Sequence, residues 1–300
     1  MKTEYVLISP VHNEEALIEL AIQSVIAQTI LPQEWVVVDD GSTDGTAQIV
    51  RRYQAQYDFI TCHRCEAQEG ASPYARRALA FLSGYRQLKT SSYRFIGGLD
   101  GDISMEPTYY ECILREFEEN PRLGIASGVY VEKIDDRLQA VPLGMSHTPG
   151  AIQMFRRECY DAIGGYIPQK YGGDDSCADI MARMKGWQTR SFSKYKVIHH
   201  RPVGTGDGKS ILRAKFGQGL TEYAVATHPL FMLAKSFHRT LVEQPRFIAA
   251  LSRLAGFLYG YWLKEERKIP PEAIRFVRKE QIRRLGSYVC RHQLNWTSEE

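Results

Sequence analysis

The chain has 300 residues, of which 44% are hydrophobic, and it carries 38 lysines and arginines against 35 aspartates and glutamates. This length allows one large domain or a catalytic domain with an extension, and the apolar content suffices for a core, which excludes a disordered chain. A net charge of only +3 excludes an overall basic field, so no nucleic-acid partner is expected.

The start of the chain and its cysteines indicate the compartment. Met1 leads into Lys2-Thr3-Glu4 and a short apolar run, so we expect no secretory signal. The six cysteines are too scattered for a disulfide framework, and Cys62-x-x-Cys65 lacks the second pair that a structural zinc site needs. We expect a cytoplasmic protein with reduced cysteines.

Short β-branched runs alternate with helical periodicity through the first 135 residues. The pattern predicts strands over 5–8, 34–38, 59–62 and 93–99, with helices from about 17–28, 46–57 and 73–88 between them. Such a βαβαβαβ series is typical of an α/β fold with a mostly parallel sheet covered by helices on both faces. Ligands of such sheets gather beyond the carboxyl ends of the strands.

Three acidic clusters follow predicted strands, at residues 10–15, 39–45 and 100–102. Asp, Asn, Ser and Gly also make turns and cap helices, so each cluster alone is explained by local structure. Carboxylates from three clusters at one edge would repel one another unless a cation lay among them. Mg²⁺ or Mn²⁺ is held by one or two carboxylates with phosphates and waters, so Asp100-Gly101-Asp102 predicts a metal that bridges a diphosphate.

Taken together, Pro10-Val11-His12-Asn13-Glu14, Val38-Asp39-Asp40-Gly41-Ser42-Thr43-Asp44 and Asp100-Gly101-Asp102 resemble the family 2 glycosyltransferases of the GT-A fold. The similarity continues through 150–166, 173–175 and 186–187, and it covers roughly residues 4–205. It implies a Rossmann-like GT-A catalytic domain at 1–205, with a nucleotide-binding half at about 1–103 and an acceptor half at about 104–205. Residues 206–300 are then a mainly helical extension packed on this domain.

The resemblance also implies roles for individual residues. Pro10, Asn13 and Glu14 would line the nucleotide pocket, Asp39 would support the loop, and Asp40 would accept a hydrogen bond from the base. Asp100 would face the ribose or the metal, and Asp102 would bind the metal. Family members often carry a Gly and an Arg that contact the donor, roles that Gly70 and either Arg76 or Arg77 would fill.

Asp174-Asp175 stands where the family usually has Glu-Asp, so Asp175 is the candidate general base and Asp174 the fallback. Both residues also suit the start of a helix, where they would act as caps. A histidine after the last strand completes the metal shell in related enzymes. Because side chains alternate along a strand, at most one of His199 and His200 would reach the metal, and His199 is preferred. Arg201 or Lys209 would neutralise diphosphate charge unless their loop is merely solvated.

The C-terminal part contains an apolar stretch, 247–263, interrupted only by Arg253. Seventeen residues with a central arginine argue against a membrane span. The stripe of Phe247, Leu251, Leu254, Leu258, Tyr261 and Trp262 is either core or a membrane-facing surface. Residues 264–293 hold nine lysines and arginines against four glutamates, which favours peripheral contact through 247–293 with the cytoplasmic face of a membrane.

The resemblance therefore implies an inverting, Mn²⁺- or Mg²⁺-dependent transferase that moves one sugar from a nucleotide diphosphate sugar, UDP-sugar being favoured, to a hydroxyl acceptor. The acceptor would be a glycan or lipid-linked glycan in surface polysaccharide assembly. The processive Gln-x-x-Arg-Trp motif is absent from the sequence, which favours single addition. Two alternatives remain: a polyprenyl-phosphate sugar synthase, which needs no general base, and a non-catalytic nucleotide-sugar-binding protein.

Overall fold

A computed structural model describes residues 4–65, 70–134, 137–140, 146–201, 211–242 and 246–296. The chain divides into two compact units, Met1–Lys170 with Asp174–Gly206, and Tyr171–Gly173 with Asp207–Glu300. The cysteines at positions 62, 65, 112, 159 and 177 are free thiols.

The first unit begins with the predicted alternation of strands and helices. Its elements are β1 (Tyr5–Val11), α1 (Ile18–Ile26), β2 (Glu34–Asp39), α2 (Thr46–Gln54), β3 (Ile60–Arg64), α3 (Pro73–Arg86) and β4 (Phe95–Gly98). β1 pairs in parallel with both β2 and β4, and β2 pairs in parallel with β3. The predicted series is confirmed, and the carboxyl ends of these four strands lie at one edge of the sheet.

The sheet becomes mixed beyond β4. The remaining elements of this unit are β5 (Ile103–Met105), α4 (Tyr109–Glu119), β6 (Leu123–Ile134), β7 (Arg137–Ala140), β8 (Met154–Arg156), α5 (Arg157–Ile163), α6 (Asp174–Met184) and β9 (Gln188–His199). The described strands form one sheet in the order β3-β2-β1-β4-β8-β6-β9-β5, with β7 paired to β6. β8 is antiparallel to β4 and β6, whereas β6 is parallel to β9.

Helices cover both faces of the parallel strands, which explains why these strands are apolar at nearly every position. Leu7, Trp35 and Val37 belong to the main core cluster on one face. On the other face α3 lies so close that a Cβ on Gly84 would be 2.6 Å from Val38 Cγ2 and 2.7 Å from Ile8 Cγ2. Burial of each such large side chain contributes about 1.5–3 kcal/mol, which fixes the strand ends that carry the site.

The second unit is helical: α7 (Ile211–Ala224), α8 (Pro229–Val242), α9 (Arg246–Leu263) and α10 (Pro271–Trp296). α7 and α9 pack with their backbones in close approach. A Cβ on Gly219 would lie 1.9 Å from the Arg253 carbonyl oxygen, and one on Gly256 would lie 2.0 Å from the Phe216 carbonyl oxygen. Glycine is required at both positions because any side chain would force the helices apart. No helix in the described part of the chain is long and apolar enough to cross a membrane.

We expect Gly219→Ala to lower the free energy of unfolding by about 1–3 kcal/mol, because the added methyl group overlaps the α9 backbone. The matched control is Gly217→Ala in the same helix, where a Cβ meets nothing within 4 Å. Because alanine favours helix formation, the control should gain up to about 1 kcal/mol. Thermal unfolding of the two variants checks this, and equal stability would contradict the close packing of α7 and α9.

Candidate active site

The loops after β1 and β2 are tied to each other by side chain to backbone hydrogen bonds. Asn13 has a positive φ of 54°, a conformation that Asn tolerates better than most residues. The Thr43 N–H donates to Asn13 Oδ1 at 2.8 Å, and the Asn13 N–H donates to Ser42 Oγ at 3.0 Å. The Glu14 N–H donates to Thr46 Oγ1 at 2.8 Å. These hydrogen bonds fix the two loops relative to each other without a ligand. We call the loops beyond the carboxyl ends of β1 and β2 the rim.

The two aspartates that end β2 have different surroundings. Asp39 is fully buried, and its Oδ1 accepts a hydrogen bond from the Ser42 N–H at 2.8 Å. Asp40 Oδ2 accepts from Arg76 Nε at 2.9 Å, and the same guanidinium donates from Nη2 to the Asp40 carbonyl oxygen at 2.9 Å. Two residues predicted to bind the donor, Asp40 and Arg76, therefore lie in contact.

A second ion pair joins the other side of this rim. Arg201 donates from Nη1 and Nη2 to the two carboxylate oxygens of Glu14, at 3.0 and 2.5 Å. Burial raises the pKa of Glu14 above its ordinary value, and Arg201 opposes that rise. Pro10 lies in β1 opposite Val38 of β2, one strand position before Val11 and the loop. Lys209, the other predicted diphosphate contact, lies outside the described residues.

Arg77 forms ion pairs with Asp100 and with Asp174, which belong to two acidic segments far apart in the sequence. Its Nε donates to Asp100 Oδ1 at 3.1 Å, and its Nη1 donates to Asp174 Oδ2 at 2.9 Å. Its Nη2 is buried without a hydrogen-bond partner in the described part of the chain. A Cβ on Gly150 would lie 3.0 Å from that nitrogen, so glycine at position 150 leaves room for the guanidinium.

Burial makes these carboxyls weaker acids than they would be in water. It raises the pKa of Asp174 to about 6, an effect that Arg77 opposes and the neighbouring Asp175 reinforces. Burial likewise raises the pKa of Asp100, again opposed by Arg77. The guanidinium thus favours the ionised form of both groups at neutral pH.

Asp175 begins α6 beside a histidine that a second aspartate orients. Asp175 Oδ2 accepts from the Gly150 N–H at 3.1 Å and lies 3.8 Å from His147 Nε2. The other ring nitrogen of His147, Nδ1, is 3.2 Å from Asp179 Oδ2, and Asp179 also accepts from the Thr148 N–H at 2.8 Å. The side chain of Asp175 is 22% exposed and that of Asp174 only 9%, so Asp175 is the more accessible carboxylate.

His199 lies between two carboxylates at the end of β9. Its Nε2 is 3.4 Å from Asp102 Oδ2, and its Nδ1 is 3.4 Å from Glu132 Oε1. Burial alone would lower the pKa of His199, but the hydrogen bonds to Asp102 and Glu132 raise it above its ordinary value. His200 is placed elsewhere: its Nε2 contacts Ser104 Oγ at 2.7 Å, and burial lowers its pKa.

The residues around Asp102 suit a hard divalent cation that the resemblance implies. Among the described residues, no three His, Cys, Asp or Glu side chains converge as a complete cage. Asp102 and His199 nevertheless face each other, and Glu132 contacts the far nitrogen of the imidazole, as partners of metal-bound histidines commonly do. Two protein ligands with diphosphate oxygens and waters form the usual set for Mg²⁺ or Mn²⁺.

Glu132, His147 and Asp179 were missed by sequence reasoning. Glu132 is a buried acid that follows the apolar run Val129-Tyr130-Val131 in β6, and a buried acid in such a position needs a polar partner. Asp179 follows Asp175 by four residues and so shares its helix face, a second usable signal. Nothing in the sequence pattern identifies His147 as the residue that joins them.

The α/β sheet covered by helices on both faces, with buried carboxylates beyond its parallel strands, has the architecture expected of the GT-A fold. The family model of Glycosyl transferase family 2 matches residues 6–185. The chain therefore belongs to glycosyl transferase family 2, and it is a transferase.

A poly-beta-1,6-N-acetyl-D-glucosamine synthase of Staphylococcus epidermidis is 26% identical over 117 residues, which are 39% of this chain and 26% of that protein. The chain thus matches about a quarter of the length of such curated relatives. Mannosyltransferase PcManGT from Pyrobaculum calidifontis, solved in complex with GDP-Man and Mn²⁺, has a TM-score of 0.62 at 17% identity. The match covers 87% of this chain and 88% of the PcManGT chain. S. aureus TarS 1–349 with UDP-GlcNAc has a TM-score of 0.56 at 18% identity, covering 91% and 79%. These likenesses establish the shared fold.

We expect Arg77→Met to raise the pKa of Asp174 above 6 and to raise that of Asp100 as well, because the cation that favours their ionised forms is lost. NMR titration of the side-chain carboxyl carbons measures both values. Arg76→Met is the matched control, since Arg76 contacts Asp40 instead. An unchanged or lower pKa of Asp174 in Arg77→Met would contradict the bridge.

Proposed function

We propose that the chain is an inverting, divalent-metal-dependent glycosyltransferase that moves one sugar from a UDP-sugar to a hydroxyl of a glycan or lipid-linked glycan. The observation that carries this proposal is the convergence of Asp100 and Asp174 on Arg77, together with the contact of His199 with Asp102, which follows Asp100 by two residues. This arrangement supplies negative charge for a cation, positive charge for a diphosphate and a carboxylate for a base.

The donor side follows from the rim beyond β1 and β2. Asp40 is the acceptor for an N–H of the base, and Asp39 holds the loop through the Ser42 N–H. Asn13 and Glu14 fix the wall of the nucleotide pocket, with Pro10 beneath them in β1. Arg76, which contacts Asp40, is within reach of the same ligand. TarS was solved with UDP-GlcNAc and PcManGT with GDP-Man, and UDP is the base we propose for this chain.

Asp102 and His199 would hold the metal, with Asp100 turned to the ribose or to the same ion. When bound, Mn²⁺ or Mg²⁺ supplies Lewis-acid stabilisation of the charge on the departing diphosphate. Glu132 orients the imidazole of His199 for this role. Arg77 restrains Asp100 and favours its ionised form, against the burial that raises its pKa.

Asp175 is the proposed general base. Its carboxylate takes the proton of the acceptor hydroxyl while that oxygen forms a bond to the anomeric carbon and the bond from the anomeric carbon to the diphosphate breaks. The nucleoside diphosphate leaves with the electron pair, and attack from the opposite side inverts the anomeric centre. Its greater exposure and the hydrogen bond from the Gly150 N–H favour Asp175 over Asp174, whose carboxylate is engaged by Arg77.

The acceptor class is supported by the curated relatives. Poly-beta-1,6-N-acetyl-D-glucosamine synthase names a polysaccharide product, and its matched segment contributes only 26% of that protein. A sugar hydroxyl on a growing surface glycan is the acceptor that a base such as Asp175 serves.

We expect Asp175→Asn to lower kcat for transfer by about 10²–10⁴-fold with UDP binding unchanged, because only the proton acceptor is removed. Asp174→Asn serves as the comparison: it releases Arg77 and should weaken UDP binding as well. Steady-state transfer assays and calorimetric UDP titrations separate these effects. Full transfer by Asp175→Asn would contradict the base and indicate a lipid phosphate acceptor, which needs none.

We expect UDP with Mn²⁺ to raise the thermal unfolding midpoint more than UDP alone, GDP or CMP, since a ligand at about 100 times its Kd stabilises the native state by about 2.7 kcal/mol. Asp102→Asn and His199→Gln should each lose the Mn²⁺-dependent part of the shift. His200→Gln is the control, because His200 contacts Ser104 and not Asp102. A shift that does not depend on Mn²⁺ or on Asp102 would refute the metal assignment.

A further inference from the structure

Helix α9 buries a side that carries Arg253, Gly256, Phe257 and Gly260, and it exposes a second side of large apolar residues. Arg253 is 0% exposed and donates to Gln218 Oε1 of α7 from Nη2 at 2.9 Å. Gly256 and Gly260 lie on the same side, where Cβ atoms would strike Phe216 and Tyr223. At 100° per residue, Phe247, Leu251, Leu258 and Trp262 fall on the opposite side. Phe247 is 71% exposed and Trp262 is 74% exposed.

Exposed apolar side chains also lie on α8 and at the start of α7, two helices that pack against α9. On α8 it consists of Leu230, Leu233 and Phe237, spaced three and four residues apart, and Phe237 is 72% exposed. Of 17 exposed large apolar side chains in the described part of the chain, 14 lie between residues 211 and 282. Scattered apolar exposure is ordinary in proteins, but a concentration on adjacent helices marks an interaction surface. We call the exposed apolar side chains of α8 and α9 the apolar face.

A basic cleft lies at one end of the apolar face. It has a volume of about 520 Å³ and is lined by His228, Arg275, Arg278, Lys279, Ile282 and Arg283. His228 directly precedes α8, and Arg278 Nη2 donates to the hydroxyl of Tyr261 in the last turn of α9 at 3.2 Å. The cleft therefore adjoins the end where Leu230 begins the apolar face.

The charge of this part of the chain is strongly positive. Residues 211–296 contain 15 lysines and arginines against six glutamates and no aspartate, a net charge of +9 in a chain whose total is +3. Tyr259 and Trp262, at the C-terminal end of α9, stack with ring centroids 5.4 Å apart. Aromatic side chains beside basic residues are typical of the zone between acyl chains and lipid head groups.

We propose that α8 and α9 bind the surface of an anionic lipid bilayer, with the apolar face among the upper acyl chains and the basic cleft against phosphate head groups. A bilayer supplies the apolar and the anionic partner together, whereas a second copy of this chain would bring another +9 against the first. The proposal rests on the second unit alone and holds whatever reaction the first unit performs.

Flotation of the full chain with vesicles tests the proposal. We expect binding to phosphatidylcholine vesicles that contain phosphatidylglycerol and much weaker binding to phosphatidylcholine alone. Phe247→Ser with Trp262→Ser should reduce the partition coefficient by about tenfold or more, because two large apolar groups no longer leave water. Leu20→Ser is the matched control, an exposed leucine on α1 that is 41% exposed and should bind as the wild type.

Two further measurements locate the contact without relying on a destabilising change. Brominated lipids should quench tryptophan fluorescence in the wild type and much less in Trp262→Phe, which keeps an aromatic ring. Arg275→Glu with Lys279→Glu should abolish the preference for phosphatidylglycerol. Failure of the wild type to float with anionic vesicles would overturn the proposal, as would equal quenching in Trp262→Phe. Concentration-dependent dimerisation without vesicle binding would assign the apolar face to a second copy instead.

Discussion

The active-site edge of the sheet depends on one constraint, the mutual repulsion of carboxylates that the fold buries together. Asp100 and Asp174 come from distant parts of the chain, and the guanidinium of Arg77 lies between them. The positive charge of the Arg77 guanidinium allows the fold to hold these two carboxylates close together without a bound metal or substrate. Because burial alone disfavours ionised carboxylates, the ion pairs are what preserve their charge. Two further ion pairs, Arg76 with Asp40 and Arg201 with Glu14, likewise place an arginine beside a carboxylate at the rim.

Much of the first unit could be predicted from the sequence because its strands are buried on both faces and its helices are amphipathic. The order β1 to β4 and the placement of Asp39 at the end of β2, with Asp40 and Asp100 beyond their strands, follow from that periodicity. The antiparallel pairing of β8 between β4 and β6 could not be predicted, since a three-residue strand has no usable period. The partners of His199 and Asp175 also escaped prediction, because Glu132 and His147 reach them through tertiary packing rather than through spacing along the chain.

The second unit shows where apolar periodicity misleads. In α9 the large side chains form a regular stripe, which ordinarily indicates the buried side of a helix. The glycines on the other side allow the backbones of α7 and α9 to approach within contact of each other, and that geometry decides which side is buried. Close backbone packing, with Arg253 held by Gln218, accompanies a small core cluster of Tyr223, Met232 and Phe257. Because the glycine side of α9 is buried against α7, the large side chains Phe247, Leu251, Leu258 and Trp262 on the opposite side remain exposed.

The near-neutral total charge conceals two parts of opposite sign. Residues 211–296 have a net charge of +9, so the rest of the chain carries −6 to give the total of +3. Residues 1–210, which hold the buried carboxylates, carry −4 of this negative excess, and Glu299 and Glu300 carry the other −2. A divalent cation would offset part of the charge of residues 1–210. The positive excess accompanies the apolar face and the basic cleft, where it cannot be offset by the same ion. The proposed bilayer contact would offset the positive excess, because a phospholipid surface is both anionic and apolar whereas a free nucleotide is only anionic.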